Sequence, residues 1–213
     1  MKKLVLIGNG FDLAHGLKTS YKDFILWYLN KALTVYNSDG RYSVDKPKLK
    51  ENDLLVLWKG QYPKTIAKLE SLEDFKNNIA QQWIKVSYFK TPFIESIIEE
   101  SIETWVDIEA KYYSYLVDLY KEADNLTSNS PTSKVNLKVN ENKLKQLNES
   151  FDLIKNQLKE YLSEINKGEK VKNEEINEHF KNEFAPTPPG KLFFLNFNYT
   201  STIELYTERN LIN

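Results

Sequence analysis

The chain has 213 residues, of which 41% are hydrophobic and 28% charged, so it can bury a core and is not a disordered protein. Its 29 basic and 30 acidic residues leave a formal charge of −1, which creates no overall attraction to nucleic acid or to an anionic membrane. The absence of cysteine excludes disulfides, thiolate nucleophiles and cysteine-ligated zinc, and with two histidines we expect no metal site.

The first predicted element is a strand over residues 4–7, whose continuous apolar run is typical of a parallel strand buried on both faces. The run is too short for a signal peptide or a membrane span, so we expect a cytoplasmic protein. It breaks into Gly8-Asn9-Gly10-Phe11-Asp12, where glycine allows a sharp turn and the close approach of a ligand. A short helix is expected from Phe11 to His15, ended by Gly16 in a left-handed conformation.

Helical patterns dominate the next part of the chain. Ser20 and Asp23 resemble a capping box that starts a helix, and its apolar face continues to Tyr36. Residues 37–53 predict a surface excursion, and the apolar run at 54–58 is compatible with either a strand or a helix.

From residue 64 to residue 124 the pattern predicts helices almost throughout. Ser71 with Asp74 caps one helix, which carries Trp83 on its apolar face, and Thr91-Pro92 starts another.

The polar stretch 125–134 predicts a mobile loop, and a long amphipathic helix follows over residues 144–165 and ends at Gly168. Prolines at 186, 188 and 189 stop helix formation before a second apolar strand over residues 192–197.

The two strands lie at opposite ends of the chain, and both lead into a polar turn and then a helix, so we expect them to pair in parallel. We therefore predict a single α/β domain over residues 1–213 with a small, Rossmann-like parallel sheet. Residues 1–36 and 190–213 form the sheet and its site, and residues 54–184 form a large, mostly helical insertion. Because two strands alone do not make a stable sheet, we expect the sheet to be incomplete at its C-terminal side or completed by a partner.

The glycine turn is a candidate phosphate cradle, because the N–H groups at a helix N-terminus attract anions. Leu13 stands where a dinucleotide fingerprint has its third glycine, and the lysine of a Walker motif is missing. The alternative is an ordinary strand-to-helix turn with Asp12 as a cap. A carboxylate at Asp12 would repel a bound phosphate unless it faced a ribose hydroxyl or a catalytic water.

A second polar turn, Asn198-Tyr199-Thr200-Ser201-Thr202, follows the second strand. Ligands of open α/β sheets bind at the carboxyl ends of strands, so both turns are expected to face one crevice. The Asn198 amide could orient a water or a ribose hydroxyl, while Thr200 or Thr202 could donate to a phosphate or cap the next helix.

Two further side chains are candidates for catalysis. His15 lies one helical turn from the glycines, where it is either catalytic or a helix-terminal histidine that interacts with the dipole. Trp105 and Glu109 share a helical face, so Glu109 is a candidate general base or ribose ligand; the alternative is a core tryptophan beside a surface glutamate. We expect His179, in a polar helix, to be a surface residue.

Three motifs resemble those of the AbiH family of bacteriophage abortive-infection proteins. Residues 7–17, with Thr19-Ser20-Tyr21 and Asp23-Phe24, resemble the family's N-terminal signature, and residues 105–109 resemble its Trp-x-Asp-x-Glu element. Residues 197–200, followed by Thr202 and Glu204-Leu205-Tyr206, are similar to its later motif. The resemblance implies a cytoplasmic role in defence against phage.

AbiH proteins in turn resemble, more distantly, the sirtuin-like domains of bacterial defence systems, several of which consume NAD. The resemblance implies a site for NAD or another nucleotide, in which Asn198 holds the water or ribose that takes part in cleaving the nicotinamide bond. The implied binding surface consists of Gly8, Asn9, Gly10, Phe11, Asp12 and Thr200. The sirtuin-like pattern has an aspartate where this chain has Thr200, and its later His-Gly motif does not occur in these 213 residues. NAD hydrolysis is therefore expected of a complete form.

Two classes of function remain open at this point. The first is an antiphage enzyme that binds and hydrolyses NAD; the second is a non-catalytic sensor or interaction module whose helical region contacts a phage or host protein. A nucleic-acid-processing factor is disfavoured by the balanced charge, and the sequence leaves homo-oligomer formation open.

Overall fold

The structure is a computed structural model, and it describes residues 2–38, 54–59, 61–62, 64–103, 107–129, 133–184 and 191–207. The elements in chain order are β1 (Lys3–Ile7), α1 (Asn9–Ala14), α2 (Tyr21–Ser38), β2 (Leu55–Lys59), α3 (Leu72–Ala80), β3 (Ile84–Phe89), α4 (Pro92–Glu103), α5 (Ile108–Asn129), α6 (Ser133–Lys167), α7 (Glu174–Phe184), β4 (Leu192–Asn196) and a 3₁₀ turn (Thr202–Leu205).

The chain divides into two compact units. The terminal unit combines residues 1–23 with residues 159–213, and the central unit comprises residues 24–158. Each unit contains a sheet of two strands among its described residues.

In the terminal unit, β1 and β4 pair in parallel, with Lys3 opposite Leu192 and Ile7 opposite Asn196. The predicted strands and their parallel pairing are therefore confirmed, and the fold is a mixed α/β arrangement with a small parallel sheet. The core on one face of this sheet consists of Ile7, Phe194 and Ile203, and side chains of α1 and α7 pack against it.

The prediction that the first strand is buried on both faces is wrong. Leu4 and Leu6 are 63% and 62% exposed, whereas Ile7 is 5% exposed. Successive side chains of a strand point to opposite faces, and the described packing of Phe180 and Ile203 covers only the face of Ile7. The apolar run alone did not show that the face of β1 carrying Leu4 and Leu6 is exposed.

The central unit contains an antiparallel pair, β2 with β3, that joins Leu55 to Phe89 and Lys59 to Ile84. This finding resolves the ambiguous run at 54–58 as a strand. It also shows that the prediction of helix almost throughout residues 64–124 is wrong at Ile84–Phe89, which form β3.

The reason for the missed strand lies at the end of α3. The N–H groups of Gln82 and Trp83 donate to the carbonyl oxygens of Ile79 and Asn78, at 2.9 and 3.1 Å. This pattern is a Schellman motif, and Gln82 takes the left-handed conformation (φ 57°) that glycine usually supplies. With glutamine at that position, the sequence carried no stop signal before Trp83.

The prediction of a loop at 125–134 is also wrong in extent. Helix α5 continues to Asn129 and α6 begins at Ser133, so only residues 130–132 between them lie outside the described residues. The predictions for residues 39–53 and for the proline segment 186–190 fall outside the described residues too.

The predicted helix starts are confirmed by their hydrogen bonds. The Asp23 N–H donates to Ser20 Oγ at 3.2 Å, and the Ser71 hydroxyl and Asp74 carboxylate form a reciprocal capping box. Thr91 Oγ1 accepts from the Ile94 N–H at the start of α4, and α6 ends just before Gly168, as predicted.

None of the described helices is both long enough and apolar enough to cross a lipid bilayer.

Two asparagines of α2 act as hydrogen-bonding partners for the chain before α3. Asn30 Oδ1 accepts from the Leu69 N–H at 2.8 Å, and its Nδ2 donates to the Leu69 carbonyl at 3.1 Å. Asn37 pairs in the same way with the N–H and carbonyl of Ile66. Because Leu69 and Ile66 are buried, these side chains satisfy backbone groups that have little access to water.

We expect Asn30→Ala to lower the free energy of unfolding by about 1–3 kcal/mol, because it leaves the Leu69 amide and carbonyl unpaired. Urea denaturation followed by circular dichroism measures the change. Asn77→Ala, at an exposed position of α3, is the matched control and should stay within about 0.5 kcal/mol of the wild type. Equal losses in the two variants would contradict this role for Asn30.

Candidate functional site

The parallel register brings the two predicted polar turns to the same edge of the sheet. Ile7 lies opposite Asn196, and the Phe197 N–H donates to the Ile7 carbonyl at 2.9 Å. The glycine turn therefore leaves β1 directly beside the point where the Asn198 turn leaves β4. In open α/β sheets this carboxyl edge is where ligands bind.

A buried hydrogen bond joins the two turns. The Thr200 hydroxyl donates to Asp12 Oδ1 at 2.7 Å, and the Thr200 and Thr202 hydroxyl oxygens lie 2.8 Å apart. Asp12 is 1% exposed, Thr200 4% and Thr202 fully buried. Asp12 is therefore not the helix cap of the alternative interpretation, and Thr200 stabilises its carboxylate inside the protein.

Neither the backbone conformation nor the packing of the described residues requires glycine at Gly8 or Gly10. Gly8 is extended (φ −120°, ψ 178°) and is the N-cap of α1, without a side-chain hydrogen bond to the helix. A Cβ added at either glycine would meet no atom of the described residues within 4 Å. The space above the turn is thus open to a ligand, while Gly16, at φ +71°, serves the predicted left-handed helix end.

Asn9 holds the segment that follows α1. Its Oδ1 accepts from the Thr19 hydroxyl at 2.7 Å, and its Nδ2 donates to the Thr19 carbonyl at 3.2 Å. The Tyr161 hydroxyl donates to the neighbouring Lys18 carbonyl at 2.5 Å. Asn9 is thus a residue that positions the glycine turn, whatever contact its exposed surface makes with a ligand.

The second turn is shaped by Asn196. Its Oδ1 accepts from the Asn198 N–H at 3.0 Å, and its Nδ2 donates to the Thr200 carbonyl at 3.3 Å. Asn198 itself is half-buried, and its Oδ1 is buried without a hydrogen-bond partner in the described part of the chain. A buried amide oxygen without a partner is costly, so this atom is the clearest unmet acceptor at the strand ends.

His15 is engaged by the protein through both ring nitrogens. Nδ1 lies 2.6 Å from the Phe11 carbonyl oxygen and Nε2 lies 2.5 Å from the Tyr206 hydroxyl. Because a carbonyl only accepts, Nδ1 carries the proton in the neutral ring, and the Tyr206 hydroxyl then donates to Nε2. The Asn173 N–H donates to the same hydroxyl at 2.6 Å.

This network packs inside an aromatic cluster. The ring centroid of Phe11 lies 4.6 Å from that of His15 and 5.6 Å from that of Tyr206, and the Phe180 ring of α7 also contacts Phe11. Burial raises the pKa of the Tyr206 hydroxyl, so it remains a proton donor well above neutral pH. His15 and Phe11 thus connect the glycine turn to the 3₁₀ turn and α7.

Glu109 is a residue of the central unit, whereas the other candidates belong to the terminal unit. It is exposed in the first turn of α5, and Trp105 lies outside the described residues. Asp107, the middle acid of the same motif, caps α5, since its Oδ1 accepts from the Ala110 N–H at 2.9 Å. His179 is exposed on α7, as predicted.

Sequence reasoning missed several residues that shape the strand ends. Asn196 was readable as an Asx turn, because an asparagine at a strand end often bonds the backbone two residues on. Tyr206 was part of a quoted motif but had no assigned role. Asn173 and Lys170, whose ammonium donates to Ser201 Oγ at 2.7 Å, carried no signal in the sequence.

The comparison with protein families decides the identity of the chain. The family model described as "Bacteriophage abortive infection AbiH" matches residues 4–211. The chain belongs to the AbiH family. The match confirms the resemblance seen in the three motifs and extends it over the helices between them. No curated protein and no solved structure matches this AbiH chain.

Among the described residues of this AbiH protein, no three histidine, aspartate or glutamate side chains are grouped as metal ligands. The strand ends themselves present amide, hydroxyl and backbone N–H groups.

The glycines of this AbiH protein should respond differently to alanine. We expect Gly10→Ala to fold with unchanged or slightly raised stability, because its Cβ meets none of the described atoms within 4 Å and alanine favours a helix. Gly16→Ala should lose about 1–2 kcal/mol, because alanine is strained at φ +71°. Thermal unfolding measures both variants, and a Gly10→Ala protein less stable than Gly16→Ala would contradict this assignment.

Tyr161 should make stability fall at alkaline pH. Burial, with the charges of Asp23 and Glu164 as smaller causes, raises the pKa of Tyr161 above its usual value. Above pH ~10 the Tyr161 hydroxyl therefore stays protonated in the folded protein but ionises in the unfolded chain. The contribution of this group to the free energy of unfolding is complete below pH ~10 and decreases as the pH rises further. Tyr161→Phe should be about 1 kcal/mol less stable at pH 8 and should lose less stability between pH 9 and 11. Urea titrations at several pH values measure the change. An equal loss in the free energy of unfolding between pH 9 and 11 for the two proteins would refute this role.

Proposed function

We propose that this AbiH protein binds a dinucleotide of the NAD class at the carboxyl ends of β1 and β4. We further propose that it hydrolyses the bond between nicotinamide and ribose as an antiphage response in the cytoplasm. The observation that carries the proposal is the parallel pairing that sets the glycine turn beside Asn198. A Rossmann-like, sirtuin-related sheet places its ligand at this same edge.

The glycine turn supports contact with the pyrophosphate. Open space above Gly8 and Gly10 leaves room for phosphate oxygens near the backbone, and a Cβ at either position would project into that space. The first N–H groups of a helix lack intrahelical partners and suit an anion. Asp12 is turned into the protein toward Thr200, so its carboxylate is held away from that space.

Asn198 supports the assignment of the reacting end. Its Oδ1 is buried and has no hydrogen-bond partner among the described residues, so a rotation of the side chain as the ligand binds would let it accept a hydrogen bond from a ribose hydroxyl or from the attacking water. In hydrolysis the glycosidic bond breaks, nicotinamide leaves with the bonding electrons as a neutral molecule, and a water oxygen bonds to the ribose carbon and releases one proton to the solvent. Such a reaction depends more on orientation and exclusion of solvent than on a strong nucleophile.

The state of His15 favours a second candidate, a sensor or interaction module that binds nucleotide without turning it over. Both of its ring nitrogens are held by Phe11 and Tyr206, so His15 positions the turn rather than moving a substrate proton. In this alternative, nucleotide binding changes how the protein contacts a phage or host trigger. Binding without nicotinamide release distinguishes the sensor from the enzyme.

The test is to incubate the purified protein with NAD and to measure nicotinamide release by chromatography and NAD affinity by calorimetry. We expect Asn198→Ala to reduce release at least about tenfold, a loss of one well-placed hydrogen bond. Gly10→Ala should weaken NAD affinity by a similar factor while the protein stays folded. Asn182→Ala, an exposed asparagine on α7, is the matched control and should behave as wild type.

The outcomes separate the two candidates. Release that depends on Asn198 supports the enzyme, and binding that depends on Gly10 without release supports the sensor. If the wild-type protein neither bound NAD nor released nicotinamide from it, both the enzyme and the sensor proposals would be overturned.

A further inference from the structure

The turn that carries Asn198 is bonded to a side chain at the end of α6. Asn166 lies in the last turn of that helix, and its Nδ2 donates to the Tyr199 carbonyl at 3.0 Å. Its Oδ1 accepts from the Ser201 N–H at 3.4 Å. All of these residues belong to the terminal unit. Asn166 therefore holds the backbone on both sides of Thr200, immediately after Asn198.

Lys170 fixes the direction of the Asn166 amide. Its ammonium donates to Asn166 Oδ1 at 2.8 Å and to Ser201 Oγ at 2.7 Å. An ammonium can only donate and a carbonyl can only accept, so the amide oxygen must face Lys170 and the amide nitrogen must face Tyr199. All the contacts of the Asn166 side chain thus agree on one orientation.

Asn196 holds the same turn from the strand side, through the Asn198 N–H and the Thr200 carbonyl. Together with the two bonds of Asn166, one backbone group in each of residues 198–201 is bonded to an asparagine side chain. This segment lies outside helix and strand, so side chains supply the constraints that a regular element would provide. The position of the turn is therefore determined from two sides.

These constraints explain why Asn198 keeps an unmet acceptor. Its Oδ1 is buried and has no hydrogen-bond partner among the described residues, which costs free energy. A turn that moved freely would relax until this oxygen met a donor. Unfavourable local arrangements persist only where the surrounding structure over-determines them, and they are frequent at functional sites.

We propose that Asn166, oriented by Lys170, is a positioning residue for the strand-end site. It holds the turn so that the Asn198 amide reaches the ribose or the attacking water, and it does not itself contact the ligand. Its effect on turnover rests on the proposed function, whereas its effect on the turn is a property of the ligand-free protein. The described hydrogen bonds of Asn166 do not involve the glycine turn, so its loss should impair the reaction more than NAD binding.

The first measurement uses the ligand-free, ¹⁵N-labelled protein and does not depend on NAD. Relaxation order parameters of the Asn198, Tyr199 and Ser201 amides report the mobility of the turn. We expect about 0.85 in the wild type and about 0.6 or less in Asn166→Ala, with the side-chain amide signals of Asn198 shifted. Because Asn166 is exposed, the variant should fold, which circular dichroism checks. Asn182→Ala, at an exposed position of α7, is the matched control and should leave the turn unchanged.

Two further variants identify the hydrogen bond that matters. Asn166→Asp, ionised at neutral pH, keeps acceptors for Lys170 and for the Ser201 N–H but cannot donate to the Tyr199 carbonyl. Lys170→Met leaves both bonds of Asn166 to the turn but frees its amide to flip. We expect Asn166→Asp to mobilise the turn as much as Asn166→Ala does, and Lys170→Met to have a smaller effect. Wild-type order parameters in all three variants would overturn the proposal.

The second measurement connects the turn with the reaction. In Asn166→Ala, nicotinamide release at saturating NAD should fall about threefold to tenfold, the effect of one hydrogen bond, while NAD affinity in calorimetry stays within about twofold. Equal losses of release and affinity, or unchanged release from a protein whose turn has become mobile, would contradict the positioning role. If the wild-type protein does not act on NAD, the proposed function fails, and the relaxation data alone decide whether Asn166 holds the turn.

Discussion

The parallel ladder between β1 and β4 is the interaction on which the terminal unit depends. It joins two strands that lie at opposite ends of the sequence, with Lys3 opposite Leu192 and Ile7 opposite Asn196. Closing so long a loop costs conformational entropy, which the ladder, the core of Ile7, Phe194 and Ile203, and the aromatic cluster must together offset. Because the strands run the same way, the turns after them meet at one edge.

A buried carboxyl group then fixes the relation between those turns. Asp12 is almost completely inaccessible to solvent, and a buried polar group costs free energy unless it is hydrogen-bonded. Thr200 supplies a hydrogen bond from the other turn, so the two segments are bound to a common geometry. The same arrangement turns the Asp12 side chain away from the open space over the glycines. Asn198, by contrast, keeps an acceptor for which the described residues supply no donor.

The sequence predicted those parts of the fold that depend on local chemistry. The capping residues Ser20 and Ser71, the left-handed Gly16 and the two apolar end strands have signals within a few residues, and each prediction was confirmed. The strand at 84–89 was missed because a glutamine ends α3 where glycine is usual. The exposed face of Leu4 and Leu6 was missed because burial depends on what packs from distant segments.

The candidate site was predictable to a similar extent. Gly8, Gly10, Asp12, Asn198 and Thr200 were all named from the sequence, and the parallel register brings their turns together. Their separate roles required coordinates: the burial of Asp12, the engagement of both His15 nitrogens and the pairing of Tyr206 with Asn173 follow from long-range contacts. Glu109 was named from its helical spacing to Trp105 and from the family resemblance, and it belongs to the central unit.

The most direct test of the strand-end site is an NMR titration of the ¹⁵N-labelled protein with NAD. Binding at the carboxyl edge of the parallel sheet should shift the backbone amide signals of Asn9 and Gly10 together with the side-chain amide of Asn198. Saturating shifts at these groups, with the central unit unchanged, are the result we expect. Shifts confined to the central unit, or no shifts at any NAD concentration, would contradict the assignment of this edge as the nucleotide site.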